Sequence, residues 1–160
     1  MSDQSTTTKN ETYELVLERV FDATPARVFK AWTDPEQIKK WFAPRPWSTP
    51  FAQSDPRPGG KSLIVMRSPE GEDYPNHGVY LEVIENKRIV TTDAYTEAWQ
   101  PSAKPFMTLV IDLTDLGGKT KAVYRVRHWS KEDLETHVKM GFHEGWGQCA
   151  DQLAELLAKG

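Results

Sequence analysis

The four histidines and the single cysteine are the first candidates for metal ligands or a nucleophile: His77, His128, His137, His143 and Cys149. The helical zinc motif HExxH is absent, and the six-residue step from His137 to His143 places the two rings on different helix faces. His143 lies close to an apolar face, where either a cavity contact or a surface role fits it. Cys149 falls on that apolar face, and no base is indicated that would activate a thiolate. The pattern predicts no metal site, no cofactor and no catalytic residue.

The composition narrows the class of protein further. The formal net charge is -3, and a mildly acidic domain is poorly suited to nucleic-acid phosphates or an anionic membrane. No apolar run approaches the roughly 20 residues of a membrane span. A single cysteine permits no intrachain disulfide, which fits a reducing compartment. We therefore expect a cytoplasmic protein with no nucleic-acid partner and no membrane span.

Aromatic side chains are the more informative group. The chain has six tryptophans, and each buried aromatic ring removes roughly 150–250 Å² from water. Trp41 and Trp47 flank a proline-rich stretch, which favours a pocket mouth, whereas Trp32 suits a pocket wall and a packed helix equally. Strand tyrosines could orient the polar end of a ligand or simply fill the core. The predicted cavity residues are Trp41, Trp47, Tyr80, Tyr95, Tyr124, Phe142 and Trp146.

Capping signals and periodicity locate the first elements that carry these rings. Apolar and polar residues largely alternate over residues 13–21, which predicts a strand. Thr24-Pro25 and Asp34-Pro35 each combine an N-cap residue with a proline at the first helical position, so each predicts a short helix. No strand is predicted over residues 47–60, which are rich in proline and glycine.

The middle of the chain predicts an antiparallel sheet. Short turn-like connections separate predicted strands over residues 61–67, 77–84, 88–95, 106–113 and 121–129. Over residues 106–113, one face carries Met107, Leu109, Ile111 and Leu113. Over residues 121–129, one face carries Ala122, Tyr124, Val126 and His128.

The last element is predicted as one long helix that begins at Ser130. Its apolar residues recur at steps of three and four: Phe142, Trp146, Cys149, Leu153, Leu156 and Leu157. Gly141, Gly145 and Gly147 interrupt this pattern, and each costs about 0.5–1 kcal/mol relative to alanine. We expect close approach of the helix to another surface to offset that cost.

The order of these elements predicts an α+β fold. An antiparallel sheet must cover its apolar face, and the final helix is the only large element available to do so. A curved sheet around a long C-terminal helix, with two short helices after the first strand, need not touch the helix everywhere. A gap lined by aromatic rings would be a ligand pocket.

Residues 20–35 (VFDATPARVFKAWTDP), the pair Trp41-Phe42 and the segments 57–60, 78–83 and 143–146 match a known pattern in order. The chain from 13 to 158 resembles the family named for activators of the heat-shock-protein-90 ATPase. The resemblance implies the helix-grip fold of START lipid-transfer domains and the major birch-pollen allergen, in the SRPBCC superfamily. It makes residues 12–160 one START-like domain, after a polar tail over residues 1–11 that we predict to be disordered.

Three functions follow as expectations. The first is binding of a small hydrophobic or amphipathic molecule in a cavity between sheet and C-terminal helix, without catalysis. The second, implied by the resemblance, is a co-chaperone-like activator of a heat-shock-protein-90-type ATPase, with that chaperone as partner. The third is a cavity enzyme of the cyclase or hydrolase type, which a buried ionisable pair facing open volume would favour. Edge strands and exposed tryptophans leave a homodimer as an option.

Overall fold

The computed structural model describes residues 13–159, so the tail predicted over residues 1–11 lies outside the described residues. The described chain forms these elements in order: β1 (Glu14–Phe21), α1 (Pro25–Thr33), α2 (Pro35–Trp41), β2 (Ser48–Ser54), β3 (Lys61–Arg67), β4 (Asp73–Ile84), β5 (Arg88–Thr92), β6 (Tyr95–Glu97), β7 (Gln100–Pro101), β8 (Met107–Asp115), β9 (Thr120–His128), α3 (Lys131–Lys139) and α4 (Phe142–Ala158).

Seven strands form one curved antiparallel sheet in the order β1-β9-β8-β5-β4-β3-β2, and β6 pairs with β7 in a separate hairpin. In this order β1 and β2 are the two edge strands, and β1, the first strand in sequence, pairs with β9, the last. This architecture confirms the predicted α+β helix-grip fold with its long C-terminal helix.

Strand periodicity determines which face of the sheet is apolar. Leu109 and Ile111 on β8 are 4% and 0% exposed, as the predicted alternation requires. Tyr124 on β9 pairs with Ile111 on one side and with Leu17 of β1 on the other. Neighbouring strands therefore bring their apolar positions to one concave face, and this face holds the core.

The two short helices begin where the sequence predicted. The Thr24 hydroxyl accepts a hydrogen bond from the Arg27 amide, and the Asp34 carboxylate accepts one from the Glu36 amide. A proline follows each cap residue at the start of the helix. Both contacts satisfy amides that have no partner within the first helical turn.

Residues 48–54 form a strand, so the expectation of no strand over residues 47–60 was wrong. β2 pairs with β3 and includes Pro50, which has no amide hydrogen to donate. β2 is an edge strand, and proline is tolerated there because one side of the strand needs no partner. The register shifts between Ser48 and Phe51, around the proline.

The predicted single helix from Ser130 is two helices. Ser130 does cap the first of them, accepting a hydrogen bond from the Asp133 amide. Gly141 has φ 92°, in the left-handed region that glycine adopts without a side-chain penalty, and it ends the run of helical geometry before Phe142. The long helix α4 thereby starts in a new direction, set by Gly141.

The buried amide of Gln152 ties α4 to the segment that follows α2. Its Nε2 donates to the carbonyl oxygens of Trp41 at 2.9 Å and Ala43 at 2.8 Å. Its Oε1 accepts from the Arg45 amide at 2.9 Å. At the far end of α4, the Arg27 guanidinium of α1 donates to the Leu157 carbonyl. Both contacts join the C-terminal half of α4 to the helical layer formed by α1 and α2.

Gln152→Leu removes the partner of two carbonyl oxygens and one amide. We expect the free energy of unfolding to fall by about 2–4 kcal/mol, because each buried polar group left without a partner costs about 1–3 kcal/mol. Urea denaturation followed by circular dichroism measures the loss. Gln148→Leu is the control: Gln148 lies one turn earlier and is exposed, so water can replace its bonds to the Arg45 carbonyl and to Gln152. Equal stability of the two variants would contradict the structural role of Gln152.

Candidate functional site

Helix α4 lies over the end of the sheet formed by β1 and β9. Arg19 of β1 points to the concave side, where it binds Asp151 at 2.7 Å and the Gly147 carbonyl at 3.3 Å. α4 also packs against α2, α3 and α1. The interface between these helices and the concave face is the place where the sequence predicted a cavity.

Aromatic rings fill much of this interface. We call the set formed by Trp32, Trp41, Tyr124, Phe142 and Trp146 the aromatic layer. It runs from α1 through β9 to α4: the ring centroids of Trp32 and Tyr124 are 5.4 Å apart, and those of Tyr124 and Trp146 are 6.4 Å apart. Trp41 lies 4.7 Å from Trp32 and Phe142 lies 5.3 Å from Trp146. Edge-to-face contacts of this kind stabilise a core beyond simple area burial.

The structure brings five of the seven predicted cavity residues into one core. Trp41, Tyr80, Tyr124 and Phe142 are at most 4% exposed, and Trp146 is partly buried against them. The Trp41 indole donates to the Ala31 carbonyl at 2.9 Å, and the Tyr80 hydroxyl bonds Ser54 at 2.7 Å. Their polar atoms thus have partners within the protein.

Trp47 and Tyr95 lie apart from the aromatic layer. The Trp47 ring packs 5.5 Å from Tyr74, and the Tyr95 ring packs 6.0 Å from Trp99 at the β6–β7 hairpin. A ligand role for all seven residues stays a prediction, and the geometry groups only Trp41, Tyr80, Tyr124, Phe142 and Trp146.

Trp32 is the residue that the sequence-based set left out. Its indole Nε1 and the Tyr124 hydroxyl are both buried, and neither has a hydrogen-bond partner within the described chain. Burial raises the pKa of the Tyr124 hydroxyl, an effect that the nearby Trp32 N–H and the charge of Arg19 oppose. The helical stripe on α1 indicated that Trp32 faces inward, but no pattern indicated that its N–H would lack an acceptor.

Gly145 of α4, next to Trp146, is half-buried and has open space beside it. Gly145 is three residues after Phe142 and four before Cys149, which places it on the buried stripe. A Cβ at Gly145 would meet no heavy atom within 4 Å. The expected close approach at this glycine is therefore wrong, and at Gly147 a Cβ would meet only the tip of Arg19, at 3.5 Å.

Cys149 is a core thiol, as the sequence indicated. Its Sγ lies 2.8 Å from the Phe42 carbonyl oxygen, to which it donates. Burial raises the pKa of the thiol to about 12. A thiol in this state supplies almost no thiolate at neutral pH.

Two histidines form a buried pair that the sequence did not predict. His128 Nδ1 lies 2.8 Å from the Tyr13 carbonyl oxygen, and His128 Nε2 lies 2.8 Å from His137 Nδ1. A carbonyl only accepts, so His128 carries its proton on Nδ1 and accepts from His137 on Nε2. Phe106 packs against both rings, at 5.5 and 5.1 Å. His143 is exposed on α4.

The surroundings of His137 keep its imidazole neutral. Burial, and then the neighbouring His128, lower the pKa of His137 from 6.5 to about 4. A buried ionisable pair facing open volume was the feature expected of a cavity enzyme; here the partner is a second imidazole, and the rings of Phe106, Phe142 and Trp146 pack against His137. Between residues 13 and 159, no three His, Cys, Asp or Glu side chains are grouped so as to hold a metal ion.

Two surface grooves lie away from the aromatic layer. One, of about 540 Å³, runs between Pro25 and Leu113, and the other, of about 410 Å³, runs between Lys30 and Leu157. None of the predicted cavity residues lines either groove. In the described part of the chain, no helix has the length and apolarity to cross a membrane.

Comparison with known families shows which family this chain belongs to. The model of the family described as "Activator of Hsp90 ATPase homolog 1-like protein" matches residues 22–158. The chain belongs to this family. The match covers both short helices, the whole sheet after β1 and all of α4.

Solved structures of similar proteins agree with this membership. A protein from Nitrosomonas europaea is 39% identical, with a TM-score of 0.88 over 91% of this chain and 94% of its own. A protein from Mycobacterium smegmatis is 29% identical, with a TM-score of 0.78 over 91% of each chain. A Rhodobacter sphaeroides protein at 20% identity and a TM-score of 0.82, over 94% of this chain and 95% of its own, shares the fold. A search of the curated proteins finds no match.

Acid should destabilise the protein partly through His137. The unfolded chain binds a proton near pH 6.5 that the folded imidazole does not bind until about pH 4, so the free energy of unfolding falls as pH drops through this window. His137→Gln removes this contribution, and urea titrations between pH 7.5 and 4.5 should give it a shallower loss than the parent. An imidazole NMR titration of His137 with a midpoint near pH 6.5 would refute the prediction.

Proposed function

We propose that this family member binds a small hydrophobic or amphipathic molecule between the concave face of the sheet and the first turns of α4. The observation that carries the proposal is the open space at Gly145, on the inward stripe of the helix. Ligand pockets in proteins are concave, mostly apolar and lined by aromatic rings with a few polar groups. The aromatic layer supplies rings on α1, β9 and α4 around this position.

Trp146 provides the route by which a ligand reaches the layer. It is partly exposed while its neighbours Tyr124 and Phe142 are 2% and 1% exposed. A molecule that enters beside Gly145 meets the Trp146 ring first and then the buried rings behind it. Apolar surface buried in this way contributes about 25 cal/mol per Å² removed from water.

The test is a ligand panel of fatty acids, ketones, alkanes and small aromatic compounds, with thermal shift and native mass spectrometry as measurements. A ligand at 100 times its dissociation constant stabilises the folded state by about 2.7 kcal/mol. In a domain of this size that raises Tm by roughly 5–10 °C. If no compound in the panel shifts Tm and a crystal structure shows side chains filling the space at Gly145, the proposal fails.

The other two functions stay predictions. The family description names an activator of the Hsp90 ATPase, and an ATPase assay with that chaperone tests the co-chaperone role directly. A cavity enzyme would use an ionisable group at the aromatic layer. Burial keeps three ionisable groups at the layer neutral: the phenol of Tyr124, the thiol of Cys149 and the imidazole of His137.

Gly145→Leu should fill the open space and weaken binding of the best panel ligand by about tenfold or more. Stability should rise by about 0.5–1 kcal/mol, because a side chain restricts the unfolded backbone and meets no obstacle in the folded one. Isothermal titration calorimetry measures the affinity. Gly147→Ala gives the same backbone effect beside Arg19, away from the space, and should bind normally. Equal affinities of the two variants would show that Gly145 does not face the ligand.

A further inference from the structure

The meeting point of α1 and β9 holds two buried hydrogen-bond donors with no acceptor among the described residues. Trp32 contributes its indole Nε1–H and Tyr124 its hydroxyl, and the two rings lie 5.4 Å apart in an edge contact. An indole nitrogen can only donate, whereas a phenol can donate and accept. The Trp32 N–H lies close enough to the Tyr124 oxygen to oppose the rise of its pKa, but the contact does not reach full hydrogen-bonding geometry.

Two other buried polar rings of the same core, those of Trp41 and Tyr80, do have hydrogen-bond partners. Trp41 Nε1 donates to the Ala31 carbonyl at 2.9 Å, and the Tyr80 hydroxyl bonds Ser54 at 2.7 Å. Native proteins pair nearly all of their buried polar groups, so a group without a partner calls for a specific reason. A bound molecule that supplies the acceptor is such a reason.

The local charges decide what kind of acceptor fits. Burial raises the pKa of the Tyr124 hydroxyl, so the phenol keeps its hydrogen at neutral pH. The nearest cation is Arg19, and its guanidinium is already paired with Asp151 at 2.7 Å. A carboxylate at this point would be buried without a free cation, which is unfavourable. A neutral oxygen meets both donors without that cost.

We infer that Trp32 and Tyr124 donate to one neutral carbonyl oxygen of the ligand, whose apolar body lies along Trp146 and Phe142. The ligand class is therefore an apolar ketone, ester or amide. This inference rests on the proposed function, and it adds the polar contact that selects among apolar molecules of similar shape. It also gives Trp32 a specificity role that its position on α1 alone does not indicate.

The first experiment compares the two buried tyrosines without ligand. Tyr124→Phe removes a hydroxyl that has no partner, so the urea midpoint of unfolding should stay the same or rise. Tyr80→Phe removes a hydroxyl that bonds Ser54, so its midpoint should fall. A fall for Tyr124→Phe as large as that for Tyr80→Phe would mean that water already satisfies the Tyr124 hydroxyl, and would overturn the inference.

The second experiment uses acetophenone, ethylbenzene and benzoate, which share a ring and differ in the carbonyl and its charge. In the parent protein, acetophenone should shift the Trp32 indole N–H resonance, identified by its loss in Trp32→Phe. Its affinity relative to ethylbenzene should fall about tenfold in Tyr124→Phe and stay unchanged in Tyr74→Phe, which removes an exposed hydroxyl that bonds Glu72. Benzoate should bind more weakly than acetophenone.

The outcomes separate the inference from the proposed function. If ethylbenzene binds and the acetophenone preference is the same in the parent and in Tyr124→Phe, the carbonyl inference is wrong while apolar binding stands. Tighter binding of benzoate than of acetophenone would also overturn it, in favour of an anionic ligand. If none of the three compounds binds the parent protein, the proposed function fails and the inference fails with it.

Discussion

The amide of Gln152 is the contact on which the arrangement of helices and sheet depends. One side chain on α4 satisfies the carbonyl oxygens of Trp41 and Ala43 and the amide of Arg45, which lie at the end of α2 and just beyond it. These backbone groups have no partner within their own helix, because a helix leaves its last carbonyls unpaired. Their dependence on α4 sets the distance between α2 and α4, and with it the position of Trp41 and Trp32 above Tyr124.

The aromatic layer that results serves as core and candidate site together. Edge contacts between Trp32, Trp41 and Tyr124 fill the interface as any core would. The same packing leaves the Trp32 N–H and the Tyr124 hydroxyl without acceptors and leaves space beside Gly145. A helix-grip fold does not by itself specify a ligand, so these local departures from full packing and full pairing are the features that point to function.

The elements with standard helix-capping or strand-alternation patterns were predicted correctly. Thr24-Pro25 and Asp34-Pro35 act through contacts within one turn, and the alternation along β9 reflects one buried face. Two predictions were wrong, the absence of β2 and the single last helix, because the local sequence alone does not decide either feature. β2 carries a proline that only an edge position permits, and the edge position follows from the strand order. Gly141 breaks the last helix by its φ of 92°, although glycine also occurs inside that helix at Gly145.

Residue types and spacing alone predicted most of the strands, the starts of α1, α2 and α3 and the antiparallel class, because each depends on local geometry, and the resemblance over residues 13–158 indicated the family. Periodicity also indicated which face of β9 carries Tyr124 inward and which face of α4 carries Phe142 and Trp146. Tertiary structure decided the rest: the pairing of His128 with His137, the isolation of Trp47 and Tyr95, and the lack of an acceptor for Trp32. These are properties of which side chains meet across the fold, and a one-dimensional pattern does not specify distances between residues far apart in sequence.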